Sequence, residues 1–179
     1  SIATTPVNAS DATEFGIMKK EQDGFINSFI EKPNKSELGN WKSDTGVEMQ
    51  NQGKDYLASM GIYIFNKEVL YKLLLEDCEK ATDFGKEIIP YSMNKLKVLS
   101  YQYNGYWTDI GNLSSFFEAN LALTDEVPAF NLFDGNNPIY TRARMLPSSK
   151  IDGTFIERSM IADGSIVHAS KVEHSIVGI

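Results

Sequence analysis

The chain has 179 residues, 42% of them hydrophobic and 23% charged, which is typical of a globular protein with one ordinary domain and a small second one. Its formal net charge of −7 excludes a sequence-independent nucleic-acid binder, because no basic stripe is available to displace counterions from phosphates. Small anionic ligands are not excluded, since they need only one or two local cations.

The first predicted elements are two extended segments on either side of EQDG, residues 15–20 (FGIMKK) and residues 25–32 (FINSFIEK). Asp23-Gly24 favours a two-residue hairpin turn, which pairs Gly16 with Glu31. A glycine in the middle of a strand usually marks a bulge or the close approach of another group. Gly16 is therefore predicted to lie beside the charged end of its partner strand.

The second of these segments ends in Glu31-Lys32-Pro33, which puts two opposite charges at the end of an apolar strand. A proline disfavours the helical region for the residue before it, so Lys32 is predicted to stay extended. Period-two alternation then puts Glu31 and Lys32 on opposite faces of a sheet that apolar residues cover on both sides. Strand ends are where open α/β sheets bind ligands. The pair is therefore either two polar groups of a binding site or a solvated strand end.

The middle of the chain is predicted to alternate strands and helices. A polar loop (34–55) precedes a buried strand at 57–65 (LASMGIYIF), and Asn66 caps the helix that follows. A short helix around DFGKEII ends or kinks at Pro90, and the aromatic segment 95–107 alternates as a strand. A third helix, capped by Asn112, is predicted to bury four apolar residues: Leu113, Phe116, Phe117 and Leu121.

The pattern changes after Thr124, where a proline-rich stretch without a clean period indicates a linker. Further on, SMIADG returns as SIVG sixteen residues later, and small apolar residues recur every five or six positions: Ile156, Ile161, Ile166 and Val172. This spacing is typical of hexapeptide β-helix coils. We therefore predict a domain at 1–124, a linker at 125–148 and the start of a β-helix at 149–179.

Several other polar residues are candidates for chemistry. Asp109 in YWTDIGN lies in a tight turn with Gly111, where a carboxylate either suits Mg²⁺ or bonds its own backbone as an Asx turn. Ser59 either donates its hydroxyl to a sugar or is only a small strand residue. His168 and His174 lie in the coil region without an evident acidic partner and are predicted to be surface residues.

The single cysteine, Cys78, cannot form an internal disulfide, which predicts a reducing compartment. There is no run of eighteen apolar residues and no charged-then-apolar leader before Ile2, so we expect a cytoplasmic protein. The chain starts inside a strand pattern and stops after two partial coils, although such coils need about three repeats to bury a core. We therefore expect a fragment of a longer protein.

Five segments, in this order and followed by hexapeptide coils, closely resemble the bacterial glucose-1-phosphate adenylyltransferases (ADP-glucose pyrophosphorylases): EFGIM, FIEKP, LASMGIYIF, DFGKEIIP and YWTDIGNLSSFFEANLAL. The resemblance covers nearly the whole chain. It implies an α/β fold, the C-terminal portion of a Rossmann-like (GT-A-like) nucleotidyltransferase domain followed by the first coils of a left-handed parallel β-helix. The implied reaction converts ATP and glucose 1-phosphate to ADP-glucose and pyrophosphate in glycogen synthesis, in a homo-oligomer that is a tetramer in the family.

The resemblance also implies the residues of the site. Gly16, Glu31, Lys32 and Ser59 would bind glucose 1-phosphate, and Asp109 would bind Mg²⁺. Lys32 and Asp109 would be the catalytic pair, because the lysine holds the sugar phosphate and the aspartate fixes the metal that screens the phosphates. No covalent nucleophile is needed, since the sugar phosphate attacks the α-phosphorus of ATP directly. We expect Lys32 and Asp109 to converge on one cleft.

Two departures from the family pattern restrict these expectations. The family's glycine-rich nucleotide loop and its second metal-site aspartate would lie upstream of Ser1, so the ATP site is mostly outside this chain, which alone is expected to be inactive. Thr108 stands before the metal aspartate where many members have arginine. Two alternatives stay open: a non-catalytic regulatory paralogue, and a sugar nucleotidyltransferase that uses another nucleotide.

Overall fold

The computed structural model describes all 179 residues, which form two compact units, Ser1–Gly105 and Tyr106–Ile179. The strands of the first unit are β1 (Ile2–Val7), β2 (Gly16–Lys20), β3 (Ile26–Glu31), β4 (Tyr56–Tyr63) and β5 (Ser100–Gln102). Its helices are α1 (Val47–Asn51), α2 (Lys67–Lys72) and α3 (Ile89–Lys95), with wider helical turns at Leu73–Asp77 and Phe84–Ile88. The second unit contains α4 (Leu113–Ala122), β6 (Lys150–Asp152), β7 (Phe155–Ile161), β8 (Ile166–His168) and β9 (Lys171–Val177). None of the helices has the length and apolarity that crossing a bilayer requires.

The first unit is built on a five-stranded sheet in the order β3-β2-β4-β1-β5. β5 runs parallel to β1, and the other neighbours are antiparallel. The adjacent residues Ile17 and Met18 of β2 are both fully buried but belong to two different apolar clusters. Because neighbouring strand residues point to opposite faces, apolar residues cover the sheet on both sides, as predicted.

The hairpin of β2 and β3 confirms the predicted pairing of Gly16 with Glu31. Its turn is one residue longer than predicted, since the N–H of Glu21 donates to the carbonyl of Phe25 (2.8 Å). Gly24 ends this turn with a φ of +86°, in the left-handed region that glycine adopts without a steric penalty.

A register shift between Lys19 and Lys20 leaves Asn27 as an extra residue on β3. Such a bulge offsets the longer turn, so the predicted pairing holds from Lys19 to the end of the hairpin at Gly16. It also brings Ile26 into the same apolar cluster as Phe29. The period-two alternation applied above to this strand puts Ile26 and Phe29 on opposite faces, and the bulge makes this wrong for Ile26.

Two predicted helix starts are confirmed, because asparagine side chains cap them. The amide oxygen of Asn66 accepts a hydrogen bond from the N–H of Glu68 (3.0 Å), and that of Asn112 accepts from the N–H of Ser115 (2.9 Å). Pro90 does not end its helix but lies in the first turn of α3. A proline is tolerated there because a first-turn residue has no N–H partner within the helix.

The predicted burial of α4 is wrong for three of its four apolar residues. Leu113, Phe116 and Phe117 are 88%, 52% and 62% exposed, while Leu121 is half-buried. Within its unit α4 packs on β9, a strand of seven residues. Helical periodicity here marks an apolar face that is not buried as predicted.

The coils of the second unit confirm the sixteen-residue repeat. β6 pairs with β8 and β7 pairs with β9 in parallel, with partners such as Ile151 and Val167, or Ser159 and Ser175, always sixteen positions apart. Ile166, one of the apolar residues that recur every five or six positions, is 80% exposed, whereas its neighbour Val167 is buried. β8 has only three residues, and alternation turns its middle residue inward and its two ends outward.

An ion pair on these coils predicts a pH dependence of stability. Lys171 Nζ lies 2.5 Å from the Glu173 carboxylate, and this hydrogen bond lowers the pKa of Glu173 from its ordinary 4.5. A carboxyl whose pKa is lower in the folded state stabilises the fold above the unfolded pKa and loses that contribution as the pH falls through the folded one. We expect Glu173→Gln to lower the thermal midpoint at pH 7, and the difference from the unsubstituted chain to disappear as the pH falls below 4.5 and through the lowered pKa of the folded state.

The effect will be small, because both groups are exposed to solvent. Glu126→Gln removes an exposed carboxylate of the same unit that has no ion pair, and it should leave the thermal midpoint unchanged at each pH. Equal behaviour of the two variants in thermal melts between pH 3 and pH 8 would contradict the role of the Glu173 pair.

Candidate functional site

Glu31 ends β3 with its carboxylate against two glycines. A Cβ at Gly16 would lie 2.8 Å from Glu31 Oε2, and a Cβ at Gly85 would lie 3.2 Å from the same oxygen. A side chain at Gly16 would therefore clash, and one at Gly85 would require the Glu31 carboxylate to shift by a few tenths of an ångström. The Glu31 side chain is half-buried, accepts no hydrogen bond and forms no ion pair. An acceptor in this state is free to bind hydroxyl donors of a ligand.

The helical turn before α3 places Gly85 beside Glu31. The carboxylate of Asp83 accepts from the N–H of Lys86 (2.9 Å), and that of Glu87 accepts from the N–H of Asp83 (3.0 Å). These reciprocal bonds fix the start of the turn in the manner of a capping box. The positive end of the helix dipole consequently lies next to the Glu31 carboxylate, where it favours negative charge.

Aromatic packing holds this helix start against the sheet. The ring of Phe84 stacks on Tyr63 of β4, with centroids 5.7 Å apart and planes 15° from parallel. It also meets Phe65 edge-on at 6.2 Å. Because Phe84 directly precedes Gly85, this stacking fixes the distance between the helix start and the end of β3.

The sheet aligns Ser59 with the hairpin. In β4, Ser59 follows Ala58, whose partner in β2 is Ile17, so it lies at the same end of the sheet as Gly16. Its hydroxyl oxygen accepts a hydrogen bond from the N–H of Gly61 (3.3 Å). The hydroxyl proton is not donated within the protein, so Ser59 has both a local role in the strand and a donor available to a ligand.

Lys32 follows this row of residues with its backbone in the left-handed region, at a φ of +47°. Its N–H still donates to the carbonyl of Phe15 (3.1 Å), while the next residue, Pro33, is buried. The predicted extended conformation is therefore wrong, because the chain leaves the sheet between these two fixed points. The prediction that Glu31 and Lys32 lie on opposite faces of the sheet assumed an extended Lys32, so its basis is also lost. The ammonium group is exposed and forms no ion pair.

Asp109 belongs to the second unit, in an irregular segment before α4. Its carboxylate is exposed and accepts no hydrogen bond, so the interpretation as an Asx turn is wrong. A Cβ at Gly111 would lie 2.8 Å from Asp109 Oδ2, which shows that the carboxylate lies over this glycine. Carboxylate oxygen is a ligand that Mg²⁺ prefers, so the residue fits the predicted metal role.

Comparison with known families decides the family of the chain. Residues 1–126 match the family model described as Nucleotidyl transferase. The chain belongs to the nucleotidyl transferase family. Residues 144–179 match the GLGC left-handed parallel beta-helix domain. The two matches together point to the ADP-glucose pyrophosphorylase family or a close relative, and they confirm the predicted fold class.

The first unit brings together four of the five predicted site residues: Gly16, Glu31, Lys32 and Ser59. Asp109 lies in the other unit, so its convergence with Lys32 on one cleft stays a prediction. No group of three or more His, Cys, Asp or Glu side chains suited to a metal is present.

Sequence reasoning missed Gly85 and the histidine partners. A glycine in the first turn of a helical pattern weakens the helix, and that cost was the available sign of a close approach at Gly85. His168 lies 3.4 Å from Asp152, and His174 Nε2 lies 3.7 Å from Asp125. The prediction that the histidines lack acidic partners is therefore wrong. His168 is exposed as predicted, whereas His174 is half-buried.

Proposed function

We propose that this nucleotidyl transferase chain carries the sugar-phosphate side of an enzyme that transfers AMP from ATP to glucose 1-phosphate. The products are ADP-glucose and pyrophosphate. The observation that carries the proposal is the half-buried carboxylate of Glu31, which no protein donor satisfies. A sugar supplies several hydroxyl donors at once, and the adjacent free ammonium of Lys32 supplies the charge that its phosphate needs.

Each of the four candidate site residues in the first unit has a role in this proposed reaction. Glu31 accepts hydrogen bonds from sugar hydroxyls, Ser59 donates one, and Gly16 leaves the space that the carboxylate occupies. Lys32 neutralises the sugar phosphate as a point charge. An oxygen of that phosphate forms a bond to the α-phosphorus of ATP, the bond from this phosphorus to the bridging oxygen breaks, and pyrophosphate leaves. The protein contributes alignment and charge stabilisation without a covalent intermediate.

We also propose that Asp109 holds Mg²⁺, which would supply charge neutralisation on the phosphates. The support is its exposed carboxylate, which has no protein partner. The free thiol of Cys78 supports a cytoplasmic location. The resemblance to glycogen-pathway enzymes supports a role in glycogen synthesis and assembly as a homotetramer.

The test measures pyrophosphate release by a protein that carries this chain together with the upstream glycine-rich nucleotide loop of the family. With glucose 1-phosphate and Mg²⁺, ATP should be used in preference to UTP and dTTP. Asp109→Asn should lower the rate at least about a hundredfold, because charge stabilisation by a bound metal contributes several kcal/mol. Glu126→Gln removes one negative charge from the same unit and should leave the rate unchanged.

Preference for UTP or dTTP would overturn the proposed nucleotide and favour another sugar nucleotidyltransferase. Sugar-phosphate binding without turnover of any nucleotide would instead favour the regulatory paralogue. An Asp109→Asn variant that keeps the full rate at limiting Mg²⁺ would contradict the metal role of this carboxylate.

A further inference from the structure

Lys32 adopts its left-handed backbone between two fixed neighbours. On one side its N–H is bound to the carbonyl of Phe15 (3.1 Å) as the last step of the hairpin ladder. On the other side Pro33 is buried, although Lys32, Asn34 and Lys35 around it are exposed. The exposed lysine is thus held by its backbone, since its side chain has no partner.

A left-handed conformation is unfavourable for lysine, because its Cβ approaches the following carbonyl oxygen. Something else in the structure must therefore exclude the alternatives. The ring of Pro33 clashes with a right-handed helical conformation of Lys32, and proline has no N–H with which the hairpin ladder could continue. The right-handed conformation is thereby excluded, and the buried ring anchors the chain where it leaves the sheet, so that Lys32 makes the turn.

We propose that Pro33 is a positioning residue for sugar-phosphate binding. It holds Lys32 in the left-handed conformation that directs the ammonium group of Lys32 to the site. The inference rests on the proposed function, since it assigns Pro33 an effect on the same ligand. Without the proline, the competent conformation becomes a minor one. The apparent dissociation constant rises by the inverse of the populated fraction.

The expected size follows from the intrinsic penalty of the left-handed region. That penalty corresponds to a population ratio of roughly fivefold to thirtyfold, so Pro33→Ala should weaken glucose 1-phosphate binding by about that factor. Binding of glucose, which has no phosphate, should change far less, because Lys32 acts on the phosphate.

The experiment is an NMR titration of the 179-residue chain with glucose 1-phosphate, which measures weak dissociation constants and the backbone shifts of residue 32 together. It compares the unsubstituted chain with Pro33→Ala, Lys32→Ala and the double variant in a double-mutant cycle. Pro128→Ala is the matched control, since it makes the same change at a half-buried proline of the second unit. Urea midpoints show that each variant is folded.

If Pro33 acts through Lys32, Pro33→Ala weakens glucose 1-phosphate binding only when Lys32 is present. The backbone chemical shifts of residue 32 then also move away from the values of a left-handed conformation. An equal loss of affinity in the Lys32→Ala background would overturn the inference, because Pro33 would then act on the fold alone. Unchanged binding in Pro33→Ala would also overturn it while leaving the proposed function intact. Failure of the unsubstituted chain to bind glucose 1-phosphate would overturn both.

Discussion

Replacement of Lys32 by alanine is expected to weaken glucose 1-phosphate binding about tenfold to a hundredfold or more. A hydrogen bond to a charged partner contributes roughly 1.5–3 kcal/mol, and each 1.4 kcal/mol changes the dissociation constant about tenfold. The amine is exposed and has no ion pair, so its removal should leave the stability of the fold within about 0.5 kcal/mol. Calorimetric titration with glucose 1-phosphate and with glucose, together with urea unfolding, measures these effects.

Lys35→Ala is the matched control, because Lys35 is an exposed lysine three positions further along without an ion pair. It should bind glucose 1-phosphate as the unsubstituted chain does. Lys32→Arg keeps the charge but replaces a compact ammonium by a planar fork, and it should recover only part of the affinity. An equal loss of affinity for glucose and for its phosphate in Lys32→Ala would contradict a role in phosphate binding.

Replacement of Gly16 by alanine is expected to damage both the hairpin and the site. The new Cβ would lie 2.7 Å from the ring of Phe29 and 2.8 Å from the Glu31 carboxylate, closer than side chains approach one another. Overpacking of this kind costs about 1–3 kcal/mol of the free energy of unfolding. Displacement of the Glu31 carboxylate should further weaken sugar binding by about tenfold or more, since it loses bonds to a charged acceptor.

Gly39→Ala tests whether the loss is specific to Gly16. A Cβ at Gly39 would meet no atom within 4 Å, so this variant should keep both the urea midpoint and the affinity for glucose 1-phosphate. The Gly16 expectation fails if Gly16→Ala and Gly39→Ala have the same unfolding free energy. It also fails if Gly16→Ala is destabilised but binds the sugar phosphate with unchanged affinity, because the carboxylate would then not depend on the glycine.

Sequence patterns predicted well where the determining interactions are local. The pairing of Gly16 with Glu31 follows from a turn signal a few residues away, and the caps at Asn66 and Asn112 follow from a side chain bonding a backbone N–H two or three residues on. The sixteen-residue repeat likewise fixes which coil residues pair. These features depend on backbone geometry and spacing, which the order of residue types specifies directly.

Other features were decided by segments distant in the chain. Lys32 turns left-handed because its N–H is held by Phe15 while Pro33 is buried, and a local rule for prolines predicted only an extended residue. Glu31 meets Gly85 because packing brings a separate helix start against the hairpin. The residues next to Glu31 and Gly85 in the sequence do not predict this contact.

The sequence by itself determined the pairing of the hairpin, the helix caps, the coil period and the residue types of the candidate sugar-phosphate site. Only the tertiary structure decided which side chains lack protein partners, such as the carboxylate of Glu31, and which apolar residues stay exposed, such as Phe117 of α4. The physical reason is that hydrogen bonding along the backbone has a short range in sequence. Burial and the approach of side chains are instead sums over neighbours from the whole fold.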